Sequence, residues 1–237
     1  ISHLAAQSDV QTSVREPQHD ALANIIGTIA ILEAAQKSGA QVIFASTGGA
    51  IYGECESPQN EYASPLPMSP YGISKLCAET YVRGWNRIYD TNHIIFRFGN
   101  VYGPRQQAKL EGGVVAIFLE RLADGQPTTI YGDGKQTRDF IYVGDVVEAL
   151  LQGVGTRKSV YNVGTGVETS ITSLHEMCAK TIGVESNPVY EPKRAGDVKR
   201  SALGVSWITE SLGWESKTSL EEGLKQTLDW VKSTYNT

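Results

Sequence analysis

Phe44-Ala45-Ser46-Thr47-Gly48-Gly49-Ala50-Ile51-Tyr52-Gly53 and, after a Pro-rich loop, Ser69-Pro70-Tyr71-Gly72-Ile73-Ser74-Lys75 are the stretch on which the reading of this chain turns. The segment Gln41 to Ser46 has the composition of a buried strand, and it runs into a hydroxyl-and-glycine turn. Ligands of open α/β sheets sit at such C-terminal strand ends. Ser69 reads as a helix N-cap and Pro70 as the first helical residue. Tyr71 and Lys75 are four apart on that helix and share a face. An ammonium beside a phenol favours the phenolate, so the pair predicts a Tyr71 pKa drawn from about 10 towards neutrality. A hydroxyl from Thr47 or Ser46 on the same substrate oxygen completes a tyrosine acid/base with an activating cation. A Tyr and a Lys at this spacing also occur as a plain surface pair, and the rest of the chain decides between the two readings.

The 237 residues suffice for a sizeable core, as one large domain or a domain with a lobe, and the apolar and charged fractions are ordinary for a globular protein. A net charge of −5 with no basic run argues against a nucleic-acid face. No stretch approaches the ~20 apolar residues of a membrane span, and none of the residues given reads as a signal peptide. Cys55, Cys77 and Cys178 are far apart and odd in number. They show neither metal spacing nor a disulfide framework, which fits a reducing cytoplasm. No metal ligands are assigned.

Taken in order, Ile1 to Gln7 reads as the end of a buried strand and a turn. Pro17 to Ser38 is a predicted helix closed by Gly39, with Ile25, Ile26, Ile29 and Leu32 as its apolar face. The Tyr71 helix runs from Ser69 to about Tyr89, and His93 to Phe98 is the next strand. Asn100 follows that strand end, where a site role outweighs a turn role. Glu111-Gly112-Gly113 opens a helix over Val114 to Ala123. Gly132 and Gly134 permit a tight turn before Arg138, whose fork suits a diphosphate. Asp139 is read as structural, and Asp145 as the cap of the following helix. Ser173 with Glu176 has the form of a capping box. Leu220, Leu224, Thr227, Leu228 and Val231 give a terminal helix to about Tyr235. Trp214 and Trp230 read as packing residues.

Four motifs, namely Asn24-x-x-Gly27-Thr28, Arg97-x-x-Asn100-Val101-Tyr102-Gly103-Pro104, the run Ile130 to Val146 and Arg194-x-Gly196-Asp197, extend the likeness over nearly the whole chain. Together with Tyr71 and Lys75 they resemble the extended short-chain dehydrogenase/reductase family of NAD-dependent nucleotide-sugar epimerases and dehydratases. The resemblance implies an α/β fold: an N-terminally truncated Rossmann-like, doubly wound parallel sheet with a smaller C-terminal α/β substrate-binding lobe. It assigns residues 1–105 with about 140–165 to the cofactor part, and about 106–139 and 166–237 to the lobe. The family's early part, with its G-x-x-G-x-x-G pyrophosphate loop, has no counterpart here, so roughly 60 residues of βαβαβα structure are expected to be missing. The chain is then a fragment or a shortened member. Ile1 to Ala6 would form an exposed apolar edge, expected to be covered by strand pairing with another chain, by an altered path or by association.

The resemblance further implies NAD as cofactor, a UDP-sugar as substrate and a homodimer or other homo-oligomer formed through residues of about 17–38 and 69–89. It places Ala5, Ala6, Gln7, Asn24, Ser46, Tyr71 and Lys75 at the cofactor, although a purely structural role is favoured for Asn24. Asn100, Gly113, Val114, Tyr131, Arg138, Arg194, Asp197 and Ser201 fall at the substrate. The implied chemistry is C4 epimerisation of a UDP-hexose through a 4-keto intermediate. Tyr71 is the base, Lys75 holds it ionised, and Thr47 or Ser46 steadies the oxygen; a gap-free match puts Gly48 at the hydroxyl position, and a one-residue shift selects Thr47. Dehydratases of the family carry an Asp-Glu pair where this chain has Gly48-Gly49-Ala50. Ser201 replaces a bulky Tyr that limits the sugar pocket in some epimerases. Two alternatives stand beside this: another dehydrogenase or reductase of the superfamily, against which Arg138 and Arg194 speak, and a silent nucleotide-sugar-binding remnant without NAD.

Overall fold

Alternation along two short strands sets the architecture of the computed structural model, which describes residues 1–235 except 55, 57, 109–112 and 195. The elements begin with β1 (Ser2–His3), α1 (Val10–Arg15), α2 (Pro17–Ala21), a π-helical turn over Leu22–Ile26 and α3 (Gly27–Ser38). Next come β2 (Ile43–Thr47), α4 (Gly48–Ile51), α5 (Pro70–Ile88), β3 (Ile94–Phe98) and β4 (Asn100–Tyr102). They continue with α6 (Val114–Ala123), β5 (Thr129–Tyr131), β6 (Thr137–Arg138), β7 (Phe140–Tyr142), α7 (Val143–Gly153) and β8 (Val160–Val163). The chain closes with β9 (Thr169–Ser170), α8 (Ile171–Ile182), β10 (Val189–Glu191), α9 (Ser206–Leu212) and α10 (Leu220–Tyr235).

β1, β2, β3 and β8 form one all-parallel sheet in that order. Successive strand side chains face opposite sides. Phe44 and Ile95 therefore pack under α3 and α5 with Leu32, Ala35, Ala78 and Val82. Their neighbours Ile43, Ile94 and Phe96 pack on the other side with Val146 and Ala149 of α7, Ile208 of α9 and Trp214. Helices cover both faces, as all-parallel sheets require. A further apolar cluster joins α6, α8 and α10 through Phe118, Leu119, Leu174, Cys178, Leu224 and Leu228.

The same alternation builds a polar row across the sheet. Ser46, Arg97 and Asn162 are register partners on β2, β3 and β8. Glu79 of α5 meets them: its carboxylate accepts from Ser46 Oγ at 2.6 Å and from Arg97 Nε and Nη2 at 2.8 and 2.7 Å. Arg97 Nη1 donates to the Tyr52 hydroxyl, which donates to Asn162 Oδ1, both at 2.8 Å. Arg97 and Glu79 side chains are each 1% exposed. A buried pair of this kind is costly to break, because the surviving charge is left uncompensated.

Several expectations are revised. The helix predicted from Pro17 ends at Gly39 in the left-handed region, but its buried line is Asp20, Asn24, Thr28, Leu32 and Ala35. Ile26 is exposed, and Ile25 and Ile29 are half-buried, because the polar line faces His3 and Gln7. Helix α1, capped by Asp9 on Thr12 N, is an addition. Asp145 is not a cap: Tyr142 holds that place, and the Asp145 carboxylate instead accepts from Thr218 N and Oγ1. The cap of α8 is Ser170, not Ser173, since Ile171, Leu174 and Cys178 must lie on one buried helical face. Asp139 is structural as read, accepting from Thr165 N and Oγ1, Gly166 N and Leu203 N, with no ion pair to Arg138. Burial pushes its carboxyl upward, and those four donors oppose the shift. The terminal helix buries Leu224, Thr227, Leu228 and Val231 as expected. Cys77 and Cys178 are free thiols, while Cys55, Glu111, Gly112 and Ala195 lie outside the described residues.

Glu79→Gln is expected to cost about 3–5 kcal/mol of stability, as a buried guanidinium loses its counter-charge. Arg83→Gln removes a partner of the same carboxylate that is 47% exposed and 3.4 Å away, and is expected to cost about 0–1 kcal/mol. Urea denaturation of both variants checks this; equal losses would show that the buried pair holds α5 no more firmly than the surface one.

Candidate active site

The C-terminal ends of β2 and β3 open into a cavity of about 500 Å³. Its walls bring together Thr47, Tyr71, Lys75 and Asn100 with Gly113, Val114, Tyr131, Arg138, Arg194 and Asp197. Ala6 and Ser46 also border it; Ala5, Gln7, Asn24 and Ser201 do not. Ser201 nevertheless lies directly behind the wall, its Oγ 3.9 Å from where a Cβ on Gly49 would stand.

At one end, helix α5 delivers the tyrosine. Ser69 Oγ accepts from Gly72 N at 3.2 Å, and Pro70 takes the first helical position, where its missing N–H costs nothing. Gly72 lets the helix touch the end of α4: a Cβ there would come within 2.5 Å of the Ala50 carbonyl. Tyr71 N donates to Ser13 Oγ of α1 at 3.1 Å. The Tyr71 side chain hydrogen-bonds Thr47, whose Oγ1 also accepts from Ala50 N at 3.2 Å. Ser46 points to the opposite side, its hydroxyl donated to Glu79. Of the two hydroxyls, Thr47 is the one beside the phenol.

The electrostatics correct the first expectation. Burial pushes the Tyr71 phenol up to about 12, with the Thr47 hydrogen bond opposing and the Asp20 charge adding to the rise. Lys75 does not draw it down, because its ammonium donates to the Ala45 carbonyl at 2.9 Å and stands 4.9 Å over the Phe44 ring. Burial in turn lowers Lys75 to about 8, against the opposing charges of Asp20 and Glu79.

At the other end, Arg138 is held by the Thr137 and Val198 carbonyls at 2.8 and 2.9 Å, with Asp197 Oδ1 at 3.9 Å. Burial draws its pKa down, and Asp197 and Glu54 oppose that. The Arg194 guanidinium lies 3.5 Å over the Tyr131 ring. Gly132 and Gly134 both take positive φ, so the turn leading to Arg138 is the expected one. Two guanidinium groups with free edges at one end of a cavity suit an anion with more than one phosphate.

A protein-family model for the NAD dependent epimerase/dehydratase family matches residues 1–164. The chain belongs to this family. It is 41% identical to a putative UDP-glucose 4-epimerase of Methanocaldococcus jannaschii, covering 100% of this chain and 78% of that protein. A UDP-glucose 4-epimerase of Thermotoga maritima, solved with UDP-glucose, superposes with a TM-score of 0.95 at 46% identity over 98% of this chain and 77% of that one. The epimerase of Thermus thermophilus, solved with NAD, gives 0.90 at 39% identity, over 98% and 76%. The α/β sheet is therefore Rossmann-like, and NAD is the cofactor expected of the chain.

The residues present fit the nicotinamide-ribose half of that group. Lys75 uses one of its three donors, on Ala45, and the Tyr71 hydroxyl lies on the same cavity wall. The sequence holds no G-x-x-G-x-x-G loop for the pyrophosphate half. Gln7 and Asn24 are bound to one another, Gln7 N donating to Asn24 Oδ1 at 3.1 Å and Asn24 Nδ2 to the Gln7 carbonyl at 2.9 Å, which is the structural role favoured for Asn24. Among the described residues no three His, Cys, Asp or Glu side chains are placed to hold a metal, and no helix is long and apolar enough to cross a membrane. Sequence reasoning missed Glu79, Asp20 and the Ser13 contact; the spacing of the polar pair Asp20 and Asn24, four apart on one helix face, was the available signal for Asp20.

Lys75→Met tests the assignment through stability. Between about 8 and 10.5 the unfolded chain binds the Lys75 proton and the folded chain does not, so the wild type gains stability as pH rises through that window. The variant lacks that gain. Its stability relative to wild type is expected to be highest below pH 8 and to decline towards pH 10.5, as read by urea denaturation across the range.

Proposed function

We propose that the chain carries the catalytic tyrosine and the substrate site of a UDP-sugar 4-epimerase working with NAD. The observation that carries this is the cavity itself: Thr47, Tyr71 and Lys75 at one end, Arg138 and Arg194 at the other. Solved relatives at 46% and 39% identity are UDP-glucose 4-epimerases. In this reading Arg138 and Arg194 bind the diphosphate and Tyr131 receives the base, with Gly113 and Val114 at the nucleotide. Asn100 and Thr47 orient the sugar, and Tyr71 takes the proton of its 4-hydroxyl and later returns one. NAD, held at its nicotinamide ribose by Lys75 beside Tyr71, would supply the hydride acceptor and donor for C4 when bound. Lys75 holds the nicotinamide ribose and supplies positive charge, and the rest of what ionises Tyr71 comes with the cofactor.

Epimerisation is favoured over dehydration by the turn after β2. A dehydratase places an acidic pair there, and a Cβ on Gly48 would collide with the Leu203 side chain. A Cβ on Gly49 would face Asn100 Oδ1 at 3.4 Å, so an acid in that place would meet an oxygen. A homodimer is supported by Leu22, Ile26, Ile73 and Ile88, exposed apolar residues along α5 and the π-helical turn that leads into α3. A cytoplasmic setting and the division into a cofactor part and a smaller lobe belong to the same proposal.

Conversion of UDP-galactose to UDP-glucose by the intact protein with NAD is the test. Tyr71→Phe is expected to lower kcat by roughly 10²–10⁴-fold, with substrate affinity retained. An active Tyr71→Phe variant would sink the reading. With Ser201 in place of a bulky Tyr behind Gly49, UDP-N-acetylgalactosamine is expected to turn over as well. Ser201→Tyr is expected to abolish that activity and spare UDP-galactose; wild type confined to UDP-galactose would refute the pocket assignment.

A further inference from the structure

Asp20 is fully buried and has no part in the scheme above. It stands on α2, which packs against α5, the helix of Tyr71 and Lys75. One of its oxygens is engaged: Oδ1 accepts from Gln7 Nε2 at 2.8 Å and from Asn24 Nδ2 at 3.0 Å. The other, Oδ2, is buried and has no hydrogen-bond partner among the described residues. A buried carboxylate held by two amides, with one oxygen left over, exerts its charge on its neighbours at low effective dielectric.

We propose that Asp20 is a positioning residue for the epimerase reaction, whose fixed negative charge holds the Tyr71–Lys75 pair in its resting form, ammonium beside neutral phenol. This rests on the function proposed above. The charge acts on both members in the same sense: it raises Tyr71 and it raises Lys75. For the lysine it opposes burial and keeps the ammonium charged at neutral pH. For the tyrosine it delays ionisation until positive charge arrives with the cofactor. Other groups face the same place. His3, which donates to or accepts from Thr28 Oγ1 at 3.1 Å, has its pKa lowered by burial and by the Lys75 charge. Glu79 of α5 acts on Lys75 but is paired with Arg97. Asp9 caps α1 through Thr12 N and reaches Asp20 only by way of Gln7, and Arg15 and Glu16 pair with each other at the surface.

Asp20→Asn is nearly a pure charge deletion, because the amide oxygen can keep both hydrogen bonds of Oδ1 and the NH2 replaces an oxygen that has none. The intact protein is labelled with 13Cε-lysine, and the Lys75 resonance is assigned by its loss in Lys75→Met. In wild type it is expected to titrate near pH 8, and in Asp20→Asn lower by roughly one unit, as for a counter-charge removed nearby. Both limbs of the kcat/KM–pH profile are expected to move to lower pH. Asp20→Glu, which keeps the charge, is expected to retain the wild-type midpoint, and Asp20→Ser serves as the neutral variant should Asp20→Asn fail to fold. A Lys75 midpoint unchanged in a folded neutral variant overturns the proposal. The resonance is read without substrate, so a protein that epimerises nothing yet shows the shift would refute the function and leave Asp20 in its role.

Discussion

The pairing of Glu79 with Arg97 is the constraint on which the site depends. Burying two charges is expensive, and an apolar pair of similar volume often gives equal or greater stability. What such a pair supplies here is direction. Arg97 can be satisfied only where the fork of its guanidinium meets the Glu79 carboxylate, and Ser46 completes the same carboxylate from the next strand. Helix α5 is thereby fixed in rotation and height over β2 and β3. Glu79 is one helical turn beyond Lys75 and two beyond Tyr71, so fixing it fixes them.

That placement leaves the chemistry unfinished by protein groups alone. Tyr71 is pushed up by burial and Lys75 pulled down by it, and the ammonium is turned to the end of β2. A site arranged this way is quiet until another charge enters, which suits a reaction whose two half-steps run in opposite directions through one tyrosine. At the far end Arg138 and Arg194 are already held, one by backbone carbonyls and one by the Tyr131 ring. Held cations lose little freedom on meeting a diphosphate.

Much of this was legible because it rests on local rules. The apolar runs Gln41 to Ser46 and His93 to Phe98 gave two strands of the sheet, and Ser69-Pro70 gave the start of α5. Arg138 follows a turn that only glycines make easily. Other readings failed where one local signal fits two registers. An Asp at the third helical position and an Asp at the cap look alike in a sequence, and only the Thr218 contact, 73 residues on, separates them for Asp145. Ser170 and Ser173 compete in the same way, and burial of Ile171 decides. Asp20 and Glu79 were silent because buried acids declare themselves through partners far along the chain. The direction of the Tyr71 shift is hidden for a related reason: a shared helix face brings Lys75 near, but where its ammonium points is set by the Ala45 carbonyl.

The contact between Gly48 and Leu203 bears on ancestry. Leu203 is held on several sides, by Asp139 through its backbone N–H, by a bridge to Gln59 and by packing on Ile51 and Tyr52. A mutation at Gly48 to an acidic residue therefore requires the end of the Leu203 side chain to shift within its packing on Ile51 and Tyr52. In a lineage passing from this chemistry to sugar dehydration, positions 48 and 203 are expected to change together. A step between the two activities at this turn is thus a matter of repacking as well as of adding an acid.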